Sequence, residues 1–181
     1  MKLKDKYKKE ILPKLIEELK LKNVTEAPKM VKVVLNVGFG RHNKDKAYIK
    51  NVVGALEKIT GQKPILTKAR QSISSFKIRE GMVIGACVTL RKDRMYDFIE
   101  KLVRVTFPRV RDFRGISDKH IDRTGNITIG FKEYIAFPEI SSDEVENVFG
   151  LEVCIHTTAK TREQGLALFQ MLEFPFKKDN K

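Results

Sequence analysis

The sequence predicts an α+β fold: a mixed, largely antiparallel sheet with helices packed on one face and a polar face opposite them. Segments 31–38, 85–91 and 151–159 alternate apolar and polar residues, which is the period of a strand. Segments 44–60 and 161–172 repeat apolar residues at helical spacing. Because helices are interspersed among the strands, they are expected to cover the apolar face of the sheet.

The first 22 residues predict a broken helix that faces solvent. Apolar residues recur at helical spacing from 3 to 20, but Pro13 lacks an amide hydrogen and is expected to split the helix. The strand that follows puts its larger apolar residues on one face, namely Val31, Val33, Leu35 and Val37. Asn36 is therefore predicted to point away from the core.

The central elements have clear end signals. Gly61 follows the 44–60 helix where a C-cap glycine is expected, and Pro64 begins a short strand over 65–68. In 85–91 the alternation turns Thr89 and Arg91 to the same outward side as Asn36. Asp93 is placed to cap a helix that runs to about Arg104, before Pro108 ends it.

The last third of the chain predicts loops before it returns to regular structure. Residues 108–150 are expected to be an extended loop region, with a hairpin around Gly125 and Asn126. A strand over 151–159 and a helix over 161–172 then complete the fold. One domain is expected to span residues 1–181.

Positive charge is concentrated in the first part of the chain. The net charge is +13, yet residues 1–114 hold 28 Lys and Arg against 12 Asp and Glu, while residues 115–181 hold 8 against 11. Segment 59–91 has six cations and one acid, interleaved with Ser, Thr and Gln and with enough apolar residues to fold onto a core. This pattern predicts a nucleic-acid surface. RNA is favoured over duplex DNA because no helix-turn-helix or zinc motif occurs.

Other functional classes find little support in the sequence. No apolar run is long enough to cross a bilayer and no signal sequence is recognised, so a cytoplasmic protein without a membrane partner is expected. No metal-ligand spacing or cofactor motif stands out; GFG at 38–40 lacks the third glycine of a dinucleotide site. Cys154 and His156 share a strand face without an orienting acid, which favours a structural pair over a catalytic one.

Six strings resemble, in order and spacing, the family of large-subunit ribosomal protein five, in its bacterial form. They are VVLNVGFG, ITGQKPILTKARQSISSFKIREGMVIG, VTLR, PRVRDFRGIS, FPEI and HTTAKT. The resemblance extends from about Tyr7 to Phe176. It implies a non-enzymatic constituent of the ribosome that binds 5S ribosomal RNA through the polar sheet face and attaches it in the central protuberance, beside large-subunit RNA and neighbouring ribosomal proteins.

The resemblance also implies individual RNA contacts. Those expected to touch ribosomal RNA are Asn36, Gln62, Thr67 and Thr89, with Lys63, Lys68, Arg70 and Arg91 contacting phosphates around them. The loop from Ser72 to Gly81 is expected to reach the transfer RNA in the peptidyl site, through Ser74, Ser75, Phe76, Lys77 and Arg79.

Residues 108–146 resemble the part of the family that contacts protein thirteen of the small-subunit head in an intersubunit bridge. The acids Asp143, Glu144 and Glu146 lie here, and a negative patch suits a basic partner. This chain departs from the family pattern around Arg123, at Thr124 and at Ile127. Two alternatives stay open: an extraribosomal RNA-binding module or chaperone, and a nucleotide-dependent enzyme that uses GFG.

Overall fold

A computed structural model describes residues 2–141 and 147–177, and it has an α+β architecture with one five-stranded antiparallel sheet. The predicted fold class is confirmed. The helices and strands are, in chain order, α1 (Leu3–Lys6), α2 (Leu12–Glu18), β1 (Met30–Gly38), α3 (Lys46–Thr60), β2 (Ile65–Lys68), β3 (Val83–Leu90), α4 (Lys92–Lys101), α5 (Phe107–Arg109), β4 (Ile127–Phe131), β5 (Leu151–Thr157) and α6 (Arg162–Met171). Hydrogen-bonded neighbours in the sheet follow the order β2, β3, β1, β5, β4.

The chain divides into two compact units. The first unit consists of Met1–Val33, Leu90–Ile129 and Cys154–Lys181, and the second consists of Val34–Thr89 and Gly130–Val153. No helix in the described part of the chain is long and apolar enough to span a bilayer.

The second unit is built around α3 and the apolar sides of the strands. Asp45 caps α3 by accepting hydrogen bonds from the Ala47 and Tyr48 amides at 3.0 and 3.1 Å. Gly61 ends the helix in the left-handed conformation (φ 65°), as its position predicts. The core of this unit contains the fully buried face of α3 and the inward residues of β1 and β3: Val52, Leu56, Ile59, Leu35, Val37, Ala86 and Val88.

The alternation in β1 holds from Val33 onward and fails at its start. Val33, Leu35 and Val37 are buried and Asn36 is exposed, as predicted. Val31 was expected in the core, but it is 38% exposed, and Met30 is buried instead. The apolar side chain that begins the strand is thus displaced by one residue from the predicted pattern.

The N-terminal helix of the first unit is continuous across Pro13 and amphipathic, with one face buried and the other exposed to solvent. Between α1 and α2, residues Tyr7–Ile11 form a π-helical segment, and the Leu12 amide donates to the Tyr7 carbonyl five residues back. This wider turn accommodates the proline that would clash with a regular helix. Leu3, Tyr7, Ile11 and Leu15 are buried, and α1 packs against α4.

The same arrangement recurs at Pro108. A π-helical segment, Leu102–Thr106, joins α4 to α5, so the helix continues to Arg109 and does not end before the proline. Asp93 was expected to cap α4, but Arg91 occupies the N-cap position without a side-chain bond, and Asp93 forms an ion pair with Lys4 in the first turn.

The segment expected to be loop contains one strand that the sequence did not predict. The expected hairpin is present as an antiparallel bridge between Ile121 and Ile127 around a tight turn. The chain then continues as β4 (Ile127–Phe131), at the edge of the sheet beside β5. The acids Asp143, Glu144 and Glu146 lie outside the described residues.

Candidate nucleic-acid interface

The outward sides of β1, β2 and β3 form a polar face in the second unit. Thr67 of β2 lies opposite Gly85 of β3, and opposite residues of an antiparallel pair point to the same side of a sheet. Alternation from Gly85 places Thr89 on this side too, half-buried, while Asn36 is exposed on β1, the next strand. We call this the polar sheet face, and its expected contacts are Asn36, Thr67 and Thr89.

Gly85 allows a close approach to Thr67 and Val37 on this face, although it was not among the predicted site residues. A Cβ atom there would lie 2.7 Å from the Thr67 Oγ1 and 2.9 Å from the Val37 carbonyl oxygen. A glycine inside a strand pattern often marks such a close approach, and that signal was present in the sequence. The absence of a side chain leaves the Thr67 hydroxyl lying over the β3 backbone.

Gln62 is anchored to this region by its own hydrogen bonds. Its Nε2 donates to the Thr89 carbonyl at 3.3 Å, at the end of β3. The Thr60 hydroxyl donates to the Leu56 carbonyl at 2.7 Å and accepts from the Gln62 amide at 3.2 Å, which fixes the turn after α3. The side-chain carbonyl of Gln62 stays available as an acceptor toward a ligand.

Exposed cations lie in or near β2 and directly after β3 along the chain. Lys63, Lys68 and Arg70 are exposed, and within residues 2–141 and 147–177 none of them has a hydrogen-bond or ion-pair partner. Arg91 is also exposed and comes directly after β3 in the chain. Three apolar neighbours differ from expectation, because they were predicted to fold onto a core but are exposed: Ile65, Leu66 and Ile73.

The loop between β2 and β3 is a small hydrogen-bonded hairpin. The Ile73 and Ile78 backbones exchange two hydrogen bonds of 2.9 and 3.2 Å, and the Ser72 hydroxyl accepts from the Glu80 amide at 2.9 Å. At its tip, Ser74–Phe76 form a single 3₁₀ turn closed by Lys77 in the left-handed conformation. Phe76 is 69% exposed there, so the hairpin presents an aromatic ring to solvent.

The turn that departs from the family pattern is rigidly bonded within the first unit. The Asp122 carboxylate accepts from the Thr124 amide and hydroxyl and from the Asn126 amide and side chain, at 2.8 to 3.0 Å. Burial acts to raise the Asp122 pKa, but the hydrogen bonds from Asn126 and Thr124 outweigh it and lower that pKa. Gly125 packs on Gly165 of α6, where an added Cβ would lie 2.4 Å from the Gly125 Cα.

The residues considered for catalysis are not assembled into a reactive site. Cys154 is a free, half-buried thiol that accepts a 3.7 Å hydrogen bond from the Thr128 hydroxyl. Burial and the Lys32 charge lower the His156 pKa, against a smaller raising effect of Asp122. The GFG segment does not lead directly into α3, which begins at Lys46, and the Ala47 and Tyr48 amides already donate to Asp45, so they do not offer a phosphate site.

A polar sheet face with exposed cations and a loop that presents an aromatic ring is typical of proteins that bind RNA through a sheet surface. Two family descriptions match the chain: ribosomal protein L5 over residues 23–79, and the C-terminus of the same ribosomal family over residues 83–176. The second alone covers more than half of the 181 residues. The chain belongs to the ribosomal protein L5 family.

Membership confirms the broad functional predictions. Proteins of this family are structural, non-enzymatic, RNA-binding constituents of the cytoplasmic large ribosomal subunit and act in translation. The hypothesis of a nucleotide-dependent enzyme is therefore wrong. Binding to ribosomal RNA and to other components of the large subunit follows from the same membership.

Proposed function

We propose that the protein binds 5S ribosomal RNA through the polar sheet face and attaches it to the large subunit in the central protuberance. The observation that carries this proposal is the face itself. Asn36, Thr67 and Thr89 project from paired strands, and their carbonyl, hydroxyl and amide groups suit sugar and base edges. Gln62 joins them through its bond to the Thr89 carbonyl.

Two kinds of side chain have different roles at this surface. Neutral side chains held by strands are rigid, so they select an RNA whose polar groups match their positions. The exposed cations Lys63, Lys68, Arg70 and Arg91 contact phosphates and supply the salt-dependent part of the affinity. An extraribosomal RNA chaperone would need the cations but not the rigid neutral contacts.

The test compares 5S RNA with an unrelated RNA of equal length across a salt series. Asn36→Ala and Thr89→Ala are each expected to cost about 1 to 3 kcal/mol of 5S binding with little change in salt slope, because a neutral contact releases no counterion. Lys68→Ala should lower the slope by roughly 0.7 to 0.9. Thr25→Ala, an exposed threonine outside the face, is the control.

Equal affinity of the wild-type protein for both RNAs would reject specific 5S binding and favour the chaperone. If Asn36→Ala and Lys68→Ala changed affinity and slope in the same way, the division into selecting and phosphate-binding residues would be wrong.

The hairpin from Ser72 to Gly81 is proposed to contact transfer RNA in the peptidyl site. Its bonded backbone holds Phe76 outward, where the ring can stack on a base or sugar. Ser74, Ser75, Lys77 and Arg79 are exposed around it and can contact the backbone. Phe76→Ala should reduce chemical protection of peptidyl-site transfer RNA in assembled ribosomes while 5S affinity is retained; unchanged protection would exclude the contact.

The acidic stretch after Gly115 is proposed to meet protein thirteen of the small-subunit head in an intersubunit bridge. Residues 115–150 carry three Lys or Arg against seven acids, a balance that suits a basic partner. Glu133 is exposed among the described acids, whereas Asp118 is paired with Arg162 at 2.9 Å. Glu133→Gln should weaken subunit association more at low salt than at high salt; equal weakening at both would argue against a charge contact.

A further inference from the structure

A second cationic surface lies in the first unit, on residues 109–114, which we call the arginine segment. Arg109, Arg111 and Arg114 are all exposed, with Asp112 as the single acid among them. No side-chain hydrogen bond or ion pair involves any of the three arginines within the described residues. Arg104, just before the segment, differs because it is paired with Glu100 at 2.7 Å.

The arginine segment is held in its interior and directly after its end. Within it, the Phe113 ring turns inward and stacks on buried Phe107, with ring centroids 5.2 Å apart and planes 19° apart. After its end, the Ile116 amide donates to the Pro175 carbonyl at 2.7 Å and the Ile116 carbonyl accepts from the Lys177 amide at 2.9 Å. A ligand that binds here therefore meets a largely preorganised backbone.

Gly115 lies in close contact with the backbone of Phe176 and Lys177. It has φ +90°, and a Cβ atom there would lie 2.8 Å from the Lys177 nitrogen and 3.0 Å from the Phe176 carbonyl carbon. Only glycine suits that conformation and that contact. The chain is thus held directly after the last arginine, and the side chains of all three arginines are exposed.

The chemistry of the segment favours a phosphate backbone over a protein partner. Stable protein interfaces usually centre on apolar or aromatic anchors, but the only aromatic ring in 109–114 is turned inward and Val110 is half-buried. Arginine presents a planar fork that pairs bidentately with phosphate oxygens. Three unpaired forks on a fixed backbone match a polyanion with repeated phosphates.

We propose that the arginine segment is a second RNA-binding site, which contacts the phosphate backbone of structured RNA without reading its sequence. It accounts for the opposite charges within 108–150: the segment carries three cations and one acid, whereas residues 115–150 are acidic. The site does not depend on how the polar sheet face recognises its own RNA, because its residues belong to the first unit.

The probe is a mixed-sequence RNA duplex of about 16 base pairs, labelled for fluorescence anisotropy and titrated with the full-length protein at several salt concentrations. Arg109→Gln/Arg111→Gln/Arg114→Gln is expected to lower the salt slope by about two to three and the affinity at about 100 mM salt by at least about tenfold. Lys9→Gln/Lys14→Gln/Lys22→Gln removes the same charge from exposed positions elsewhere in the first unit and should change the slope by less than one.

Equal losses for the two triple variants would overturn the proposal, because net charge alone would then explain them. The variant with three lysines, Arg109→Lys/Arg111→Lys/Arg114→Lys, should keep the slope and lose several-fold in affinity if the guanidinium forks bind phosphate; full retention would contradict the bidentate contact. Loss of binding to poly-glutamate without loss of duplex binding would assign the surface to an acidic protein. Should the triple Gln variant fail a thermal-melting check, Arg111→Gln is read against Lys14→Gln in the same assay.

Discussion

Gly85→Ala should destabilise the protein because a methyl group has no room at that position. The added carbon would lie 2.7 Å from the Thr67 Oγ1 and 2.9 Å from the Val37 carbonyl oxygen, both closer than real Cβ contacts. The Thr67 hydroxyl can rotate away, but the Val37 oxygen is backbone, so a strand must shift. Overpacking of this kind costs about 1 to 3 kcal/mol.

Chemical denaturation measures the cost directly, and thermal melting should show a fall of about 2 to 12 °C for a chain of this size. Gly38→Ala is the matched control: it is an exposed strand glycine with no atom within 4 Å of its built Cβ. It should leave stability unchanged or raise it by up to about 1 kcal/mol, since alanine restricts the unfolded chain.

The double variant Gly85→Ala/Thr67→Ala separates the two close contacts. If the hydroxyl were the main obstacle, removing it would restore most of the lost stability; the structure predicts that most of the loss persists, because the Val37 oxygen remains. A Gly85→Ala protein as stable as the Gly38→Ala protein would refute the argument from the close approach. Gly85→Ala should also weaken the proposed 5S binding, because the added methyl group displaces Thr67.

Three further outcomes are expected in the first unit. Asp122→Asn should lower the free energy of unfolding by about 1 kcal/mol near neutral pH. Because the folded pKa of Asp122 is lowered from 3.8, the greater stability of the wild-type protein is constant above that value and disappears as pH falls through the folded pKa. A stability difference independent of pH would contradict the hydrogen bonds to the carboxylate. Gly165→Ala, whose Cβ would lie 2.4 Å from the Gly125 Cα, should lower the unfolding free energy by about 2 to 3 kcal/mol in urea, whereas a neutral effect would show that the turn can move away. The Tyr7 hydroxyl donates to the Pro28 carbonyl, and burial raises the Tyr7 pKa to about 12. In an ultraviolet titration, the Tyr7→Phe protein should therefore lack one phenol that ionises near pH 12 in the wild-type protein. Loss of a phenol that ionises near pH 10 would show that Tyr7 is not buried.

Sequence patterns predicted the features that neighbouring residues determine. The outward position of Asn36 follows from alternation within one strand, and the end of α3 follows from the conformational freedom of Gly61. The helix predicted over 161–172 is present as α6, and the Thr161 hydroxyl at its start accepts from the Gln164 amide at 3.4 Å. These are local effects of a few residues, so no tertiary information is needed to place them.

The errors concern features that tertiary packing determines. Pro13 and Pro108 were expected to interrupt their helices, but a π-helical segment before each proline lets the helix continue, with buried residues on both sides of Pro13 and before Pro108. Strand β4 is five residues long and contains a glycine, so its identity depends on pairing with a distant strand. Ile65 is apolar and was expected in the core, but it lies on the outward side of an edge strand and is 73% exposed.

If the polar sheet face binds 5S RNA as proposed, a change that lowers the stability of the sheet should also lower selectivity, whereas the salt-dependent affinity should change less. Asn36 and Thr67 have fixed positions only because paired strands hold their backbones, so a change that shifts the strands moves the selecting groups as well. Lys68 has a long flexible side chain and a charge that acts over the roughly 8 to 10 Å of a Debye length, so small shifts hardly alter its contribution. Strain at Gly85 should therefore lower the preference for 5S RNA over an unrelated RNA more than it lowers binding to RNA in general.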